Sequence, residues 1–106
     1  MALDSILSDL KQVRGVALSS ETGEALESAG DLDADTLCAV TSLSATQLRN
    51  IGELLAAGAL ERWYLVTEQE AYYVSERPFE PRRLAAVGEA VKSPEATSKA
   101  LHKAAR

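Results

Sequence analysis

LERWYLVTEQEAYYVSERPF, residues 60–79, holds every aromatic side chain of the protein: Trp63, Tyr64, Tyr72, Tyr73 and Phe79. Two runs rich in aromatic and β-branched residues, ALERWYLVT and AYYVSERP, flank the polar Glu68, Gln69 and Glu70, the pattern of a β-hairpin. Aromatic residues on facing strands pair across a sheet, which accounts for Tyr72, Tyr73 and Phe79 within one chain. Trp63 and Tyr64 are adjacent, so they point to opposite faces of their strand. Each then needs cover on its own side, and an edge strand with exposed aromatic surface invites another chain.

Upstream lies DLDADTLCAVTSLSATQLRNIGELLAAG, residues 31–58, which runs without proline for more than six helical turns. Asp33 or Asp35 is available as N-cap, and Gly58 is the expected stop. At 100° per residue Leu37, Val40, Ser44, Leu48, Ile51 and Leu55 share one face, flanked by Leu43 and Leu54, and this face is expected to lie on a sheet. Beside it Cys38, Ala45, Gly52 and Ala56 form a line of small residues that would let a second helix approach. A glycine inside a helix costs roughly 0.5 to 1 kcal/mol relative to alanine, so Gly52 hints at such an approach. The alternative is an alanine-rich helix whose small residues carry no message.

The ends of the chain complete the pattern. Leu3, Ile6, Leu7, Leu10 and Val13 form the stripe of an amphipathic helix, followed by RGVALSS and ALESAG, two strands joined at Gly23 where a tight turn needs positive φ. After the aromatic hairpin, Pro78 and Pro81 are expected to end its second strand, and RRLAAVGEAV supplies a fifth. KSPEATSKALHKAAR opens with Ser93 as N-cap and Pro94 at the first helical position, and Lys99, Lys103 and Arg106 complement the dipole of its far end. The apolar face of this last helix, residues 93–106, is thin, so loose packing is expected. The element order is α-β-β-α-β-β-β-α. Within one domain spanning residues 1–106 this implies an α+β fold, an antiparallel sheet with helices on its faces.

Composition excludes several functions. A net charge of −5 argues against nucleic acid and against an anionic membrane surface, both of which require clustered Lys and Arg. No apolar run approaches the ~20 residues needed to span a bilayer, and the N-terminus lacks a charged leader, so a cytoplasmic location is expected. Cys38 is the only cysteine and His102 the only histidine, too few for a zinc site of the usual kind, and no metal or cofactor is expected. Asp31, Asp33 and Asp35 mimic the start of a calcium loop, but Thr36 stands where that loop needs Gly and Ser42 where it needs Glu. The three aspartates are therefore assigned to capping and dipole compensation. His102 reads as a solvated helix-end residue and Cys38 as a packing residue. Nucleotide-binding and nucleophile motifs are absent, so no catalytic residue is assigned.

In this order, LDSILSDLKQVRGVALSSETGEAL, LRNIGELLAAG and ALERWYLVTEQEAYYVSERP make the chain similar to the Roadblock family of dynein light chains and its bacterial and archaeal relatives. Two departures are Thr22-Gly23 where the family often has Asp-Gly, and the prolines Pro78 and Pro81 between the last strands. The resemblance implies a profilin-like, five-stranded antiparallel sheet with helices on both faces and the third strand, about residues 60–67, at an edge. Two protomers would pair these edges antiparallel with their long helices side by side. It places Trp63, Tyr64, Leu65 and Val66 at the strand junction and Ala45, Gly52 and Ala56 between the helices. It further implies a non-enzymatic homodimeric adaptor that binds and regulates a Ras-like small GTPase, with Gln47, Arg49, Asn50 and Glu53 as candidate contacts. A dimeric scaffold of a signalling or motility complex without effect on GTP hydrolysis is the alternative. A small enzyme or ligand carrier with a pocket between sheet and helix is a third reading.

Overall fold

A computed structural model describes residues 3–76 and 82–104. The expectations for Pro78, Phe79, Pro81 and Arg106 fall outside the described residues. The elements are α1 (Leu3–Asp9), β1 (Val13–Ser19), β2 (Ala25–Gly30), α2 (Ala34–Leu54), β3 (Arg62–Val66), β4 (Glu70–Glu76), β5 (Arg83–Glu89) and α3 (Pro94–Ala104). The strands form one antiparallel sheet in the order β2-β1-β5-β4-β3, which places β2 and β3 at the two edges. The expected element order, hairpins and edge position of the third strand are all present.

Strand alternation divides the interior into two layers. Val16 and Leu18 of β1, Ala71 and Tyr73 of β4, and Leu84 and Ala86 of β5 turn to the face covered by α1 and α3, where they meet Leu3, Ile6 and Leu101. Tyr73, fully buried, is thus covered within its own chain, as the hairpin reading anticipated. Ala17, Ser19 and Ala85, of the opposite parity, turn to the other face, on which α2 lies over β1, β2 and β5. β5 is at the centre and buried from Arg83 to Gly88, which explains its small uncharged run Leu-Ala-Ala-Val-Gly. Its one charged buried member, Arg83, donates from Nε to Glu76 Oε2 on β4 at 2.8 Å. Gly23, at φ +93°, closes the β1–β2 hairpin in the conformation the sequence required.

Four expectations are corrected. α1 stops at Asp9, because Val13 is spent as the first residue of β1, buried in the core, and does not extend the helical stripe. α2 begins where predicted: Asp33 accepts from the Thr36 N–H at 3.2 Å and from its hydroxyl at 2.8 Å. It ends before Gly58. Ala56 takes the left-handed turn at φ +52° while its N–H bonds the Glu53 carbonyl and the Ala57 N–H bonds that of Gly52, the paired bonds of a Schellman stop.

The third correction concerns which side of α2 faces inward. Cys38, Thr41 and Ala45 are buried against the sheet, whereas Val40, Ile51 and Leu55, assigned to that side, are more than half exposed. The small residues let the helix settle close onto an equally small sheet surface of Gly15, Ala17, Ser19 and Ala85, where a row of leucines would hold it off. Burial pushes the Cys38 thiol above its ordinary pKa, which suits a packing role. Finally, α3 is firmly tied. Leu101 is 1% exposed, Thr97 and Ser98 are buried, Arg62 of β3 donates to Glu95 and Ser98, and His102 Nδ1 lies 2.6 Å from the buried Ser75 hydroxyl. His102 is therefore half-buried against β4, not solvated.

Candidate dimer and partner interface

The rotation of α2 leaves apolar surface uncovered. Because α2 lies over β1, β2 and β5, its outer side and the same face of β3 and β4 are covered by no helix among the described residues. Between them runs a groove of about 420 Å³, walled by Leu37, Val40 and Ser44 of α2 and by Trp63, Leu65 and Tyr72 of the β3–β4 hairpin. Farther along the helix Ile51 and Leu55 continue the line of Val40, and Leu43 (66% exposed) and Leu54 (87%) stand on its outermost side.

The groove has one polar end. There the Tyr72 hydroxyl and the Arg14 guanidinium both donate to the Glu70 carboxylate. The Tyr72 bond first, and Arg14 second, hold Glu70 below its ordinary pKa, and the same bond raises the Tyr72 hydroxyl. The three groups satisfy one another and fix β4 to β1 across β5. Asp33, Thr36, Thr41 and Ser44 also border the groove on the α2 side, and the rest of its wall is apolar, as interface centres are. Trp63 and Tyr64 do point to opposite faces: Trp63 lines the groove, while Tyr64 stands on the face of Arg62, whose guanidinium bonds Glu95 Oε1 at 2.8 Å.

Beyond Trp63, the outer side of β3 pairs with no strand among the described residues, and Tyr64, Leu65 and Val66 are exposed. A free strand edge, an apolar groove and an apolar helix face thus adjoin on one side of the protomer. Three chains of known structure share this architecture. A Roadblock/LC7 domain from Streptomyces avermitilis is 17% identical and superposes with a TM-score of 0.79 over 97% of this chain and 89% of its own. The chain has the Roadblock/LC7 fold. An MglB described as having a tetrameric arrangement is 22% identical (TM-score 0.78; 97% of this chain, 77% of its own). The gliding protein MglB of Thermus thermophilus is 20% identical (TM-score 0.74; 95% and 83%). No protein-family model and no curated protein matches the sequence.

Within this Roadblock/LC7 fold the expected helix-contact residues must be reassigned. Ala45 is fully buried beneath α2 and Cys38 with it, so neither can be touched by a second chain. Gly52 faces its own chain, the Gly58 carbonyl lying 3.5 Å from where a Cβ would stand, and Ala56 lies beyond the helix. The apolar residues exposed on the side of α2 that borders the groove are Val40, Ile51 and Leu55, which the periodicity alone turns inward. The seven-residue spacing of Cys38 and Ala45 was the available signal: small residues at that interval mark a close approach, and here the approach is to the sheet.

The four candidate partner contacts are all exposed and separate into two sets. Gln47 and Asn50 project on the outer side with Leu43 and Leu54. Arg49 and Glu53 occupy the flank toward the β1–β2 hairpin, where Ser42, two turns before Arg49, donates to the Glu21 carbonyl at 3.2 Å. Arg49 itself donates to Thr46 at 3.4 Å.

Proposed function

We propose that this protein is a non-enzymatic, homodimeric adaptor that binds and regulates a Ras-like small GTPase. The observation that carries the reading is the joined apolar surface formed by the β3 edge, the groove and the exposed side of α2. In a two-fold dimer that pairs β3 edges antiparallel, the axis stands perpendicular to the sheet, so the two α2 helices run antiparallel beside each other. The C-terminal half of one helix then meets the N-terminal half of the other. Ile51 and Leu55 of one protomer face the groove of its partner at Leu37 and Val40, and each protomer supplies both knob and hole. Trp63, Tyr64, Leu65 and Val66 occupy the strand junction.

Such a dimer leaves Leu43, Gln47, Asn50 and Leu54 of both helices on one side of the continuous sheet, and this is the surface assigned to the GTPase. The likeness to MglB structures, one of them described as a gliding protein, supports a motility GTPase system as the setting.

The test is capture of partners on the immobilised protein from lysate of its source cells with GDP or a non-hydrolysable GTP analogue, read by mass spectrometry. A small GTPase enriched with the analogue, and lost for Leu54→Asp, is the expected result. Capture of a kinase or motor component regardless of nucleotide would replace the regulator reading with that of a scaffold.

A further inference from the structure

The sheet has a second open edge. β2 pairs with β1 on its inner side, and just past it the Asp31 N–H donates to the Arg14 carbonyl at 2.9 Å. In an antiparallel ladder alternate residues turn their N–H and C=O groups toward the same neighbour. Ala29 and Glu27, of the parity of Asp31, therefore bond β1, and Ser28 between them presents its groups outward; the register shifts between Leu18 and Ser19, which leaves Leu26 in a bulge where the alternation stops. Among the described residues no strand accepts the outward groups, and Leu26, Glu27 and Ser28 are exposed in side chain as well.

Charge distinguishes this edge from the one at β3. Residues 1–35 carry eight carboxylates and two basic side chains, a net charge of −6, while residues 36–106 carry a net +1. The acidity of the protein thus resides wholly in the part that builds β1, β2 and their surroundings. Glu24, Glu27 and Asp31 lie within β2 or beside its ends, exposed and without an ion pair among the described residues. Two such edges side by side would bring like charges into register, so pairing of β2 with itself is disfavoured. Against a basic extended chain the same carboxylates attract, and the outward N–H and C=O of Ser28 supply main-chain bonds to an added strand.

We propose that the β2 edge is a docking site for an extended, lysine- or arginine-bearing segment of a partner protein, which adds to the sheet as a sixth strand. The site is independent of the β3 edge and is present whether or not the protein dimerises there. Alternate basic side chains of the segment stand over Glu27 and its neighbours, and the intervening ones stand beside Leu26.

A fluorescein-labelled peptide of alternating lysine and threonine or valine tests this on the full chain. Anisotropy titration is expected to show binding that weakens with salt and falls at least about tenfold in the double variant Glu24→Lys, Glu27→Lys. Should the double variant melt at a lower temperature than the parent, Glu24→Gln with Glu27→Gln removes the charges with less perturbation. Amide hydrogen exchange is expected to slow at Ser28 when peptide is added. Equal binding by the charge-reversed protein, equal binding of an acidic peptide of the same pattern, or protection in β3 in place of β2 would each overturn the proposal.

Discussion

Ile51→Asp is the sharpest probe of the dimer, because Ile51 is 51% exposed in the protomer and so contributes little to its fold. Fully burying an isoleucine is worth about 1.5 to 3 kcal/mol, so covering the exposed half contributes about 1 kcal/mol. Two-fold symmetry counts every contact twice, giving about 2 kcal/mol per dimer. A carboxylate left desolvated in the partner's groove costs at least about 1 kcal/mol more per copy. Together the loss is about 4 kcal/mol, roughly a thousandfold in Kd. Sedimentation equilibrium over a concentration series measures it, with Leu26→Asp, on the opposite edge and 45% exposed, as the matched control. Thermal melts should show the protomer fold of both variants intact. A dimer constant for Ile51→Asp within about threefold of the control would refute the assignment of this helix face.

Three further outcomes follow from the packing. Ala56→Gly relieves a left-handed alanine at the end of α2 and should stabilise the protein by about 0.5 to 1 kcal/mol, seen as a higher urea midpoint at unchanged slope. Leu101→Ala should destabilise by about 2 to 5 kcal/mol, because this residue of α3 is 1% exposed in the core; a loss under about 0.5 kcal/mol would restore the picture of a loose terminal helix. The bonds from Thr36 hold the Asp33 carboxylate below its ordinary pKa, so its cap contributes stability above the pKa of an unfolded aspartate and loses it as pH falls through the folded value. Asp33→Ala should therefore lower the melting temperature at neutral pH and converge on the parent in acid; an undiminished gap at low pH would remove the cap as its cause.

Local chemistry was legible wherever a few neighbouring residues settle the outcome. Asp33 and Asp35 mark the start of α2, Gly23 the first hairpin, Pro94 the start of α3, and the aromatic runs β3 and β4. Where neighbours in space settle it, the reading failed. In sequence His102 reads as solvated because Ser75 stands 27 positions away, and α3 reads as loose because the Arg62 that ties it belongs to β3. Gly58 was a fair stop on residue type alone, but the helix ended earlier, at Ala56.

By itself, then, the sequence determined the order of elements, both hairpins and the acidic cap of the long helix, since propensity, turn chemistry and periodicity act over a handful of residues. The tertiary structure alone decided which side of α2 looks inward. Leucine, isoleucine and valine cover so much of that helix that two orientations satisfy its periodicity, Leu37–Ile51–Leu55 inward or Cys38–Thr41–Ala45 inward. The flat surface of Gly15, Ala17, Ser19 and Ala85, assembled from strands distant in sequence, accepts only the small row at close range. The large residues were left outside, beside the open β3 edge, and that displacement creates the surface on which the proposed function depends.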